Sequence, residues 1–175
     1  LEKLYIDMDI TERYMSNSAQ KKAIADAVSN LVEDNDTLLL NAGTTLTYVL
    51  RAIRGKKNIS IITNSIANAT EAASYPNMSV ILLGGQIDSK YQFTYGADSI
   101  SQLRRYHTLK SILSVDGIDP VSGLTLYYSN EAELVRTMIE NSDTVIVAAD
   151  SSKLGRSTFA KVAPVTSAAI IVTNT

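Results

Sequence analysis

Short, nearly unbroken apolar runs alternate along this chain with longer segments whose apolar positions recur every three or four residues. Leu38-Leu39-Leu40 is such a run, as are Ile59-Ser60-Ile61-Ile62, Val80-Ile81-Leu82-Leu83 and Val145-Ile146-Val147. Between them, Ile24, Val28 and Leu31 fall on one helical stripe, and Leu46, Val49, Leu50 and Ile53 on another. The pattern predicts a helix from about Ser18 and further helices over 45–54, 65–74, 97–106 and 130–141. It predicts strands over 37–40, 59–62, 79–83, 111–115, 144–149 and 168–173. Tyr75-Pro76-Asn77 ends the third helix. Residues 86–96 read as loop with short extended pieces, and residues 1–17 as a polar linker or edge segment. Strands that are apolar on both faces and separated by helices predict an α/β fold: three layers, Rossmann-like, a mostly parallel sheet with helices on both faces.

Composition narrows the function classes. The 175 residues suit one domain and carry a formal charge of −2, which leaves no electrostatic footprint for DNA or for anionic membranes. There is no cysteine, so disulfides and thiolate chemistry are excluded, and the single histidine, His107, excludes a multi-histidine metal site. No metal or other cofactor is expected. Apolar runs such as Val145 to Ala149 fall far short of the ~20 residues that span a bilayer. No basic-then-apolar leader opens the chain, so a cytoplasmic location is expected. Leu1-Glu2-Lys3-Leu4 reads as a start inside a longer protein.

The candidate chemistry sits where strands end. Asn41-Ala42-Gly43-Thr44-Thr45, Thr63-Asn64-Ser65, Gly84-Gly85, Asp116-Gly117 and Asp150-Ser151-Ser152-Lys153 each close an apolar run. In an open α/β sheet, ligands bind at the carboxyl ends of strands near a topological switch point. Gly43-Thr44-Thr45 at a helix start can offer unpaired N–H groups to a phosphate. Every cluster also has a structural alternative: Asn64 or Ser65 as a helix cap, Gly84-Gly85 as a turn, Lys153 as a solvated charge. A cap, however, needs no glycine pair, aspartate and lysine at one rim.

Taken in order and spacing, these motifs, together with Gly117-Ile118-Asp119, Asn130-Glu131-Ala132-Glu133 and Asp150 through Arg156, resemble the C-terminal sensor domain of DeoR-type transcriptional regulators. Lys21 ahead of Ile24-Ala25, and Gly96, fit the same pattern. The resemblance covers about Ser18 to Thr173. It implies an effector-binding sensor domain over 18–175, with residues 1–17 a linker or edge segment from a missing N-terminal winged helix-turn-helix domain. It implies a phosphorylated sugar or polyol as effector, operator DNA as a partner only through that N-terminal domain, no membrane partner, and a homo-oligomer. The fold it implies is that of the sugar-phosphate isomerase and CoA-transferase group. In these roles Gly43, Thr44, Thr45 and Lys153 hold phosphate. Asn41, Thr63, Asn64, Ser65, Gly84, Gly85 and Glu131 complete the site, and Asp116 or Asp119 meets the sugar hydroxyls. The chain departs from the family where Asn41, Leu109 and Asn174 replace common aspartates. Asn41 spares a phosphate a like-charge contact and removes the carboxylate that an aspartate would offer a polyol.

The rival expectation is a sugar-phosphate isomerase, since Asp116-Gly117-Ile118-Asp119 imitates that enzyme group's acidic turn and Lys153 matches one of its lysines. Alignment puts Thr137 where the isomerase base belongs, and a hydroxyl cannot abstract a carbon-bound proton at neutral pH. Glu131 or Glu133 stands in only if the helix is rotated or shifted. The residues therefore predict a site that keeps binding and lacks chemistry.

Overall fold

Successive residues of a strand face opposite sides of a sheet, so a strand with three consecutive leucines needs cover on both faces. Leu38, Leu39 and Leu40 are all fully buried. The computed structural model describes residues 8–175. In chain order these form α1 (Ile10–Met15), α2 (Ser18–Ser29), β1 (Thr37–Leu40), α3 (Thr44–Ala52), β2 (Ile59–Thr63), α4 (Ile66–Ala73) and β3 (Met78–Leu82). A hairpin follows, β4 (Gln86–Asp88) and β5 (Phe93–Tyr95), then α5 (Ala97–Leu103), β6 (Thr108–Leu113), β7 (Gly117–Asp119), β8 (Gly123–Leu126) and α6 (Ser129–Glu140). The chain closes with β9 (Ser142–Ala148), β10 (Ala160–Ala163) and β11 (Ile170–Val172), with 3-10 turns at Ser151–Lys153 and Val165–Ser167.

The main sheet runs β11-β9-β6-β1-β2-β3, parallel throughout. Leu38, Leu40, Ile61, Ile112 and Ile146 pack with Ile24, Val28, Leu46 and Leu50 of α2 and α3. Leu39, Ile62, Leu113, Val145 and Val147 face the other way, against Ile100 and Leu103 of α5 and Leu134, Val135 and Met138 of α6. The expected three-layer α/β fold is therefore present. The chain leaves β1 toward β2 and β3, then returns to the other side of β1 for β6, β9 and β11. The order reverses between β1 and β6, and that is where ligands bind in such sheets.

Three features differ from the sequence-based expectations. The strand expected over 111–115 is β6, three residues earlier, so Ser114 to Asp116 lie beyond the sheet edge. A second, antiparallel sheet β10-β8-β7 covers part of the α6 side. Its strands are three or four residues long and contain Gly117, Asp119 and Gly123, too short and too polar to carry a periodic signal. The segment read as linker contains α1, while residues 1–7 of it lie outside the described residues. Asp9 and Glu12 start α1 with a capping box: Glu12 N–H donates to Asp9 Oδ1 at 2.8 Å and Asp9 N–H to Glu12 Oε2 at 2.9 Å.

Gly85 takes a backbone φ of +142°, and a Cβ there would collide with Ser99 Oγ and the Tyr95 carbonyl. Its conformation joins β3 to the hairpin. Gly85→Ala should lower stability by ~1–3 kcal/mol. Gly55→Ala, with nothing within 4 Å of its Cβ, should be neutral or slightly stabilising. Thermal melts of the two variants check this, and equal melting temperatures would refute it.

Candidate functional site

The ends of β1 and β6 must diverge at the switch point, and a single side chain spans the gap. Asn41 Oδ1 accepts from Ser114 N–H at 2.8 Å, and Asn41 Nδ2 donates to the Ser114 carbonyl at 2.9 Å. Because Ser114 presents one donor and one acceptor, the orientation of the Asn41 amide is fixed. Asn41 Nδ2 also donates to Glu131 Oε1 at 3.3 Å, and the Ala42 N–H reaches the same oxygen at 3.3 Å. Asn68 of α4 supports the turn from behind. It donates through Nδ2 to the Asn41 carbonyl at 3.2 Å and accepts the Thr47 hydroxyl at 2.7 Å. Gly43 is required by proximity: a Cβ there would lie 2.5 Å from Ser114 Cβ.

A cavity of about 380 Å³ opens over this turn. Its floor is Ala42, Gly43, Thr44 and Ser114, at the start of α3, whose first turn has no side-chain cap. One wall is α4 with its N-cap Ser65, whose Oγ accepts from Asn68 N–H at 3.1 Å. The opposite wall carries Asp116 and Glu131. The rings of Tyr91, Phe93 and Tyr128 close one side, with Tyr91 and Tyr128 centred 4.8 Å apart. The roof is α1, which brings Ile10, Thr11, Arg13 and Tyr14. Tyr14 stacks on Tyr48 at 4.9 Å, and the Arg13 guanidinium lies 4.2 Å from the Tyr91 ring centre. Lys21 Nζ, buried under α1, donates to the Arg13 carbonyl.

Of the residues expected from sequence, Gly43, Thr44, Ser65, Asp116 and Glu131 line the cavity. Asn41, Thr45, Thr63 and Asn64 are buried behind it. Thr63 Oγ1 accepts from Ser65 N–H at 3.1 Å within the turn after β2, and Asn64 Nδ2 donates to the Thr94 carbonyl at 3.1 Å, which ties the end of β2 to the hairpin. Lys153 is buried beside Asp116 and Asp150, and its charge reaches the cavity through Asp116. Gly84, Gly85 and Asp119 stand apart from the cavity lining. Gly84 N–H donates to Gln102 Oε1 at 2.8 Å, and Asp119 Oδ1 accepts from Val121 N–H at 2.9 Å and Ser122 N–H at 2.7 Å in the β7–β8 turn. Among the positions that depart from the family's aspartates, Leu109 lies within β6. Asn174 accepts from Ser151 N–H at 2.9 Å. His107 pairs with Asp143 at 2.6 Å on the exposed surface.

The sequence reading missed Arg13 and Tyr14, although the Asp9–Glu12 spacing signals the helix that carries them. It missed Ser114 because β6 was placed three residues late. It also missed Asn68 and the Arg51–Glu71 pair, with Arg51 Nε 2.8 Å from Glu71 Oε1, which no local pattern marks.

Burial raises the Glu131 carboxyl to about 8, and neighbouring Asp116 pushes in the same direction; Asn41, Ala42 and Arg13 oppose the shift. Asp116 is also raised by burial, but Lys153, the Tyr127 N–H and Arg13 favour its anion. At about 8, the Glu131 carboxyl keeps its proton near neutral pH. Between about 4.5 and 8 the folded chain holds a proton that the unfolded chain releases, so stability falls as pH rises across that window, by up to about 1.4 kcal/mol per unit. Replacing Glu131 with Gln should abolish this component. Melting temperatures of both proteins from pH 5 to 8 check it: the native protein should lose ground to the variant, and a constant difference would contradict the protonated state.

No group of potential metal ligands occurs among the described residues, and no described helix is long and apolar enough to cross a membrane. A search against family models matches the DeoR C terminal sensor domain over residues 16–175. The chain is 33% identical to the HTH-type transcriptional regulator YulB of Bacillus subtilis, over 96% of this chain and 65% of that protein. It is 30% identical to the HTH-type transcriptional repressor GlcR of the same organism, over 93% of this chain and 62% of that protein. It thus spans just under two thirds of the length of these relatives. Among solved structures, ribose 5-phosphate isomerase from Plasmodium falciparum shares the fold, with a TM-score of 0.56 at 23% identity over 77% of this chain and 52% of the enzyme. On sequence and fold together, the chain belongs to the family of DeoR C-terminal sensor domains.

Proposed function

We propose that this chain is the effector-sensing part of a transcriptional regulator of sugar metabolism, and that the cavity at the β1–β6 switch binds a phosphorylated sugar or polyol. The observation that carries the reading is the composition of that cavity. The uncapped start of α3 at Gly43 and Thr44 offers N–H groups to an anion, and Arg13 adds a fixed positive charge overhead. Asp116 and Glu131 suit hydroxyl groups, and the Tyr91, Phe93 and Tyr128 rings suit the C–H faces of a carbon chain. A volume of about 380 Å³ suits a single metabolite. Charge agrees: Arg51 is paired with Glu71, and burial raises both Glu131 and Asp116, so Arg13 and the backbone donors tip the lining toward anions.

The repressor and regulator names of the relatives support the regulatory half of the reading. Operator contact belongs, in this proposal, to a helix-turn-helix segment outside this chain, and the working form is a cytoplasmic homo-oligomer. The effector acts by preferring one arrangement of domains or subunits and shifting the population toward it.

The isomerase alternative needs an ionised base in the cavity. Glu131 reaches the cavity without any rotation of α6, but one of its oxygens is occupied by two donors and the group is neutral near pH 7. Glu133 is exposed, and the Thr137 hydroxyl is committed to the Glu133 carbonyl at 3.0 Å.

A melting screen over phosphorylated sugars and their unphosphorylated parents tests the proposal. A phosphorylated ligand at a hundred times its Kd should stabilise the fold by about 2.7 kcal/mol, with little effect from its parent. Arg13→Leu should weaken that ligand roughly tenfold to a hundred-and-fifty-fold. Ribose 5-phosphate should not be converted to ribulose 5-phosphate. Equal stabilisation by parent sugars would defeat the phosphate assignment, and turnover abolished by Glu131→Gln would favour the isomerase.

A further inference from the structure

The two oxygens of the Glu131 carboxyl have different surroundings. Oε1 accepts from Asn41 Nδ2 and from the Ala42 N–H, both at 3.3 Å. No bond to Oε2 is found among the described residues, and Glu131 lines the cavity. Asn41 cannot turn away, because its amide is held on both sides by the Ser114 backbone. An aspartate at position 41 would set an oxygen against the Ser114 carbonyl and against Glu131 in place of a donor. We propose that Asn41 is a positioning residue for Glu131, and that Glu131 determines specificity by donating a hydrogen bond from Oε2 to an oxygen of the bound ligand.

This rests on the cavity being the effector site, and it refines the chemistry read there. Asp116, whose Oδ2 accepts from the Tyr127 N–H at 3.0 Å, leaves a carboxyl oxygen toward a ligand hydroxyl, while Glu131 donates to an oxygen beside it. The charged groups that act on Glu131 are Asp116, beyond β6, and Arg13 of α1; β1 and the start of α3 contribute the Asn41 amide and the Ala42 N–H. The proton needed for donation is present because burial and Asp116 hold the carboxyl up to about 8. A ligand oxygen that must itself donate would be rejected, since a buried donor facing a donor leaves both unsatisfied. Binding should therefore weaken as pH rises above 8, and glutamine, which presents a permanent amide donor in the same place, should bind without that loss.

Two measurements test this. The first needs no ligand. Carboxyl carbon NMR of the labelled chain, with Glu131 assigned by comparison with Glu131→Gln, should find Glu131 protonated at pH 7. Asn41→Asp should raise its midpoint by a unit or more. An ionised Glu131 at pH 7, or a midpoint unmoved in folded Asn41→Asp, would overturn the proposal. The second is calorimetry with ribose 5-phosphate, glucose 6-phosphate and fructose 6-phosphate as probes at pH 7 and 9. For the probe that binds, Glu131→Gln should match the native affinity within about threefold at pH 7 and keep it at pH 9, where the native chain loses about tenfold. A tenfold loss in Glu131→Gln at pH 7, or native affinity that rises with pH, would make Glu131 an ionised acceptor and defeat the assignment. Binding by none of the probes to either protein would instead defeat the effector reading of the cavity, and the donation with it. Should Asn41→Asp fail to fold, the Glu131→Gln comparison decides alone.

Discussion

The β1–β6 gap is held by one amide. At a topological switch point the crossovers leave in opposite directions, so the two central strands lose their ladder just where a ligand would sit. The last register pair between them is Leu40 with Ile112, and Asn41 continues the connection by bonding both the N–H and the carbonyl of Ser114. The same amide orients Glu131 at the start of α6, and its backbone carbonyl receives Asn68 from α4. Three elements of the site therefore depend on a residue that need not touch the ligand. A hydrophobic side chain there would leave the Ser114 N–H and carbonyl without the Asn41 amide, each a buried polar cost of roughly 1–3 kcal/mol, and Glu131 with the Ala42 N–H alone.

In the proposed reading, that network sets recognition on a fold shared with ribose 5-phosphate isomerase. Burial and the proximity of Asp116 raise Glu131 to about 8, which in the proposed reading withholds the ionised base that enolisation needs and offers a donor. The α1 roof adds Arg13 and Tyr14 and is itself held by the Tyr48 stack and by Lys21. An occupant of the cavity thus touches the short helix that connects to the preceding residues, so binding energy there can bias whatever that segment is joined to.

The fold was legible because burial on both faces leaves an unmistakable trace: Leu38-Leu39-Leu40 cannot face water on either side. Gly43, Thr44, Ser65, Asp116 and Glu131 were legible as neighbours around one cavity because strand ends gather at one rim. What was not legible depends on geometry that no local pattern encodes. Asp119 and the Gly84-Gly85 pair look functional in sequence, yet their polar groups and backbone angles serve the β7–β8 turn and the hairpin junction. Lys153 reads as a rim charge and is buried among carboxylates. Arg13 was hidden because six residues make too short a helix to show a stripe, although the capping box at its start was readable. The small β10-β8-β7 sheet escaped because its register comes from partners far away in the chain.

The central claim is that the ligand sits at the switch point, against the start of α3. Amide chemical-shift mapping of the isotopically labelled chain, titrated first with inorganic phosphate and then with glucose 6-phosphate, tests it directly. The largest saturable shifts should fall on Ala42, Gly43, Thr44 and Ser65, with the sugar phosphate adding Glu131 and the α1 amides of Arg13 and Tyr14. Shifts centred on Gly84, Gly85 and Asp119, with the Gly43–Thr44 amides unmoved, would contradict the account.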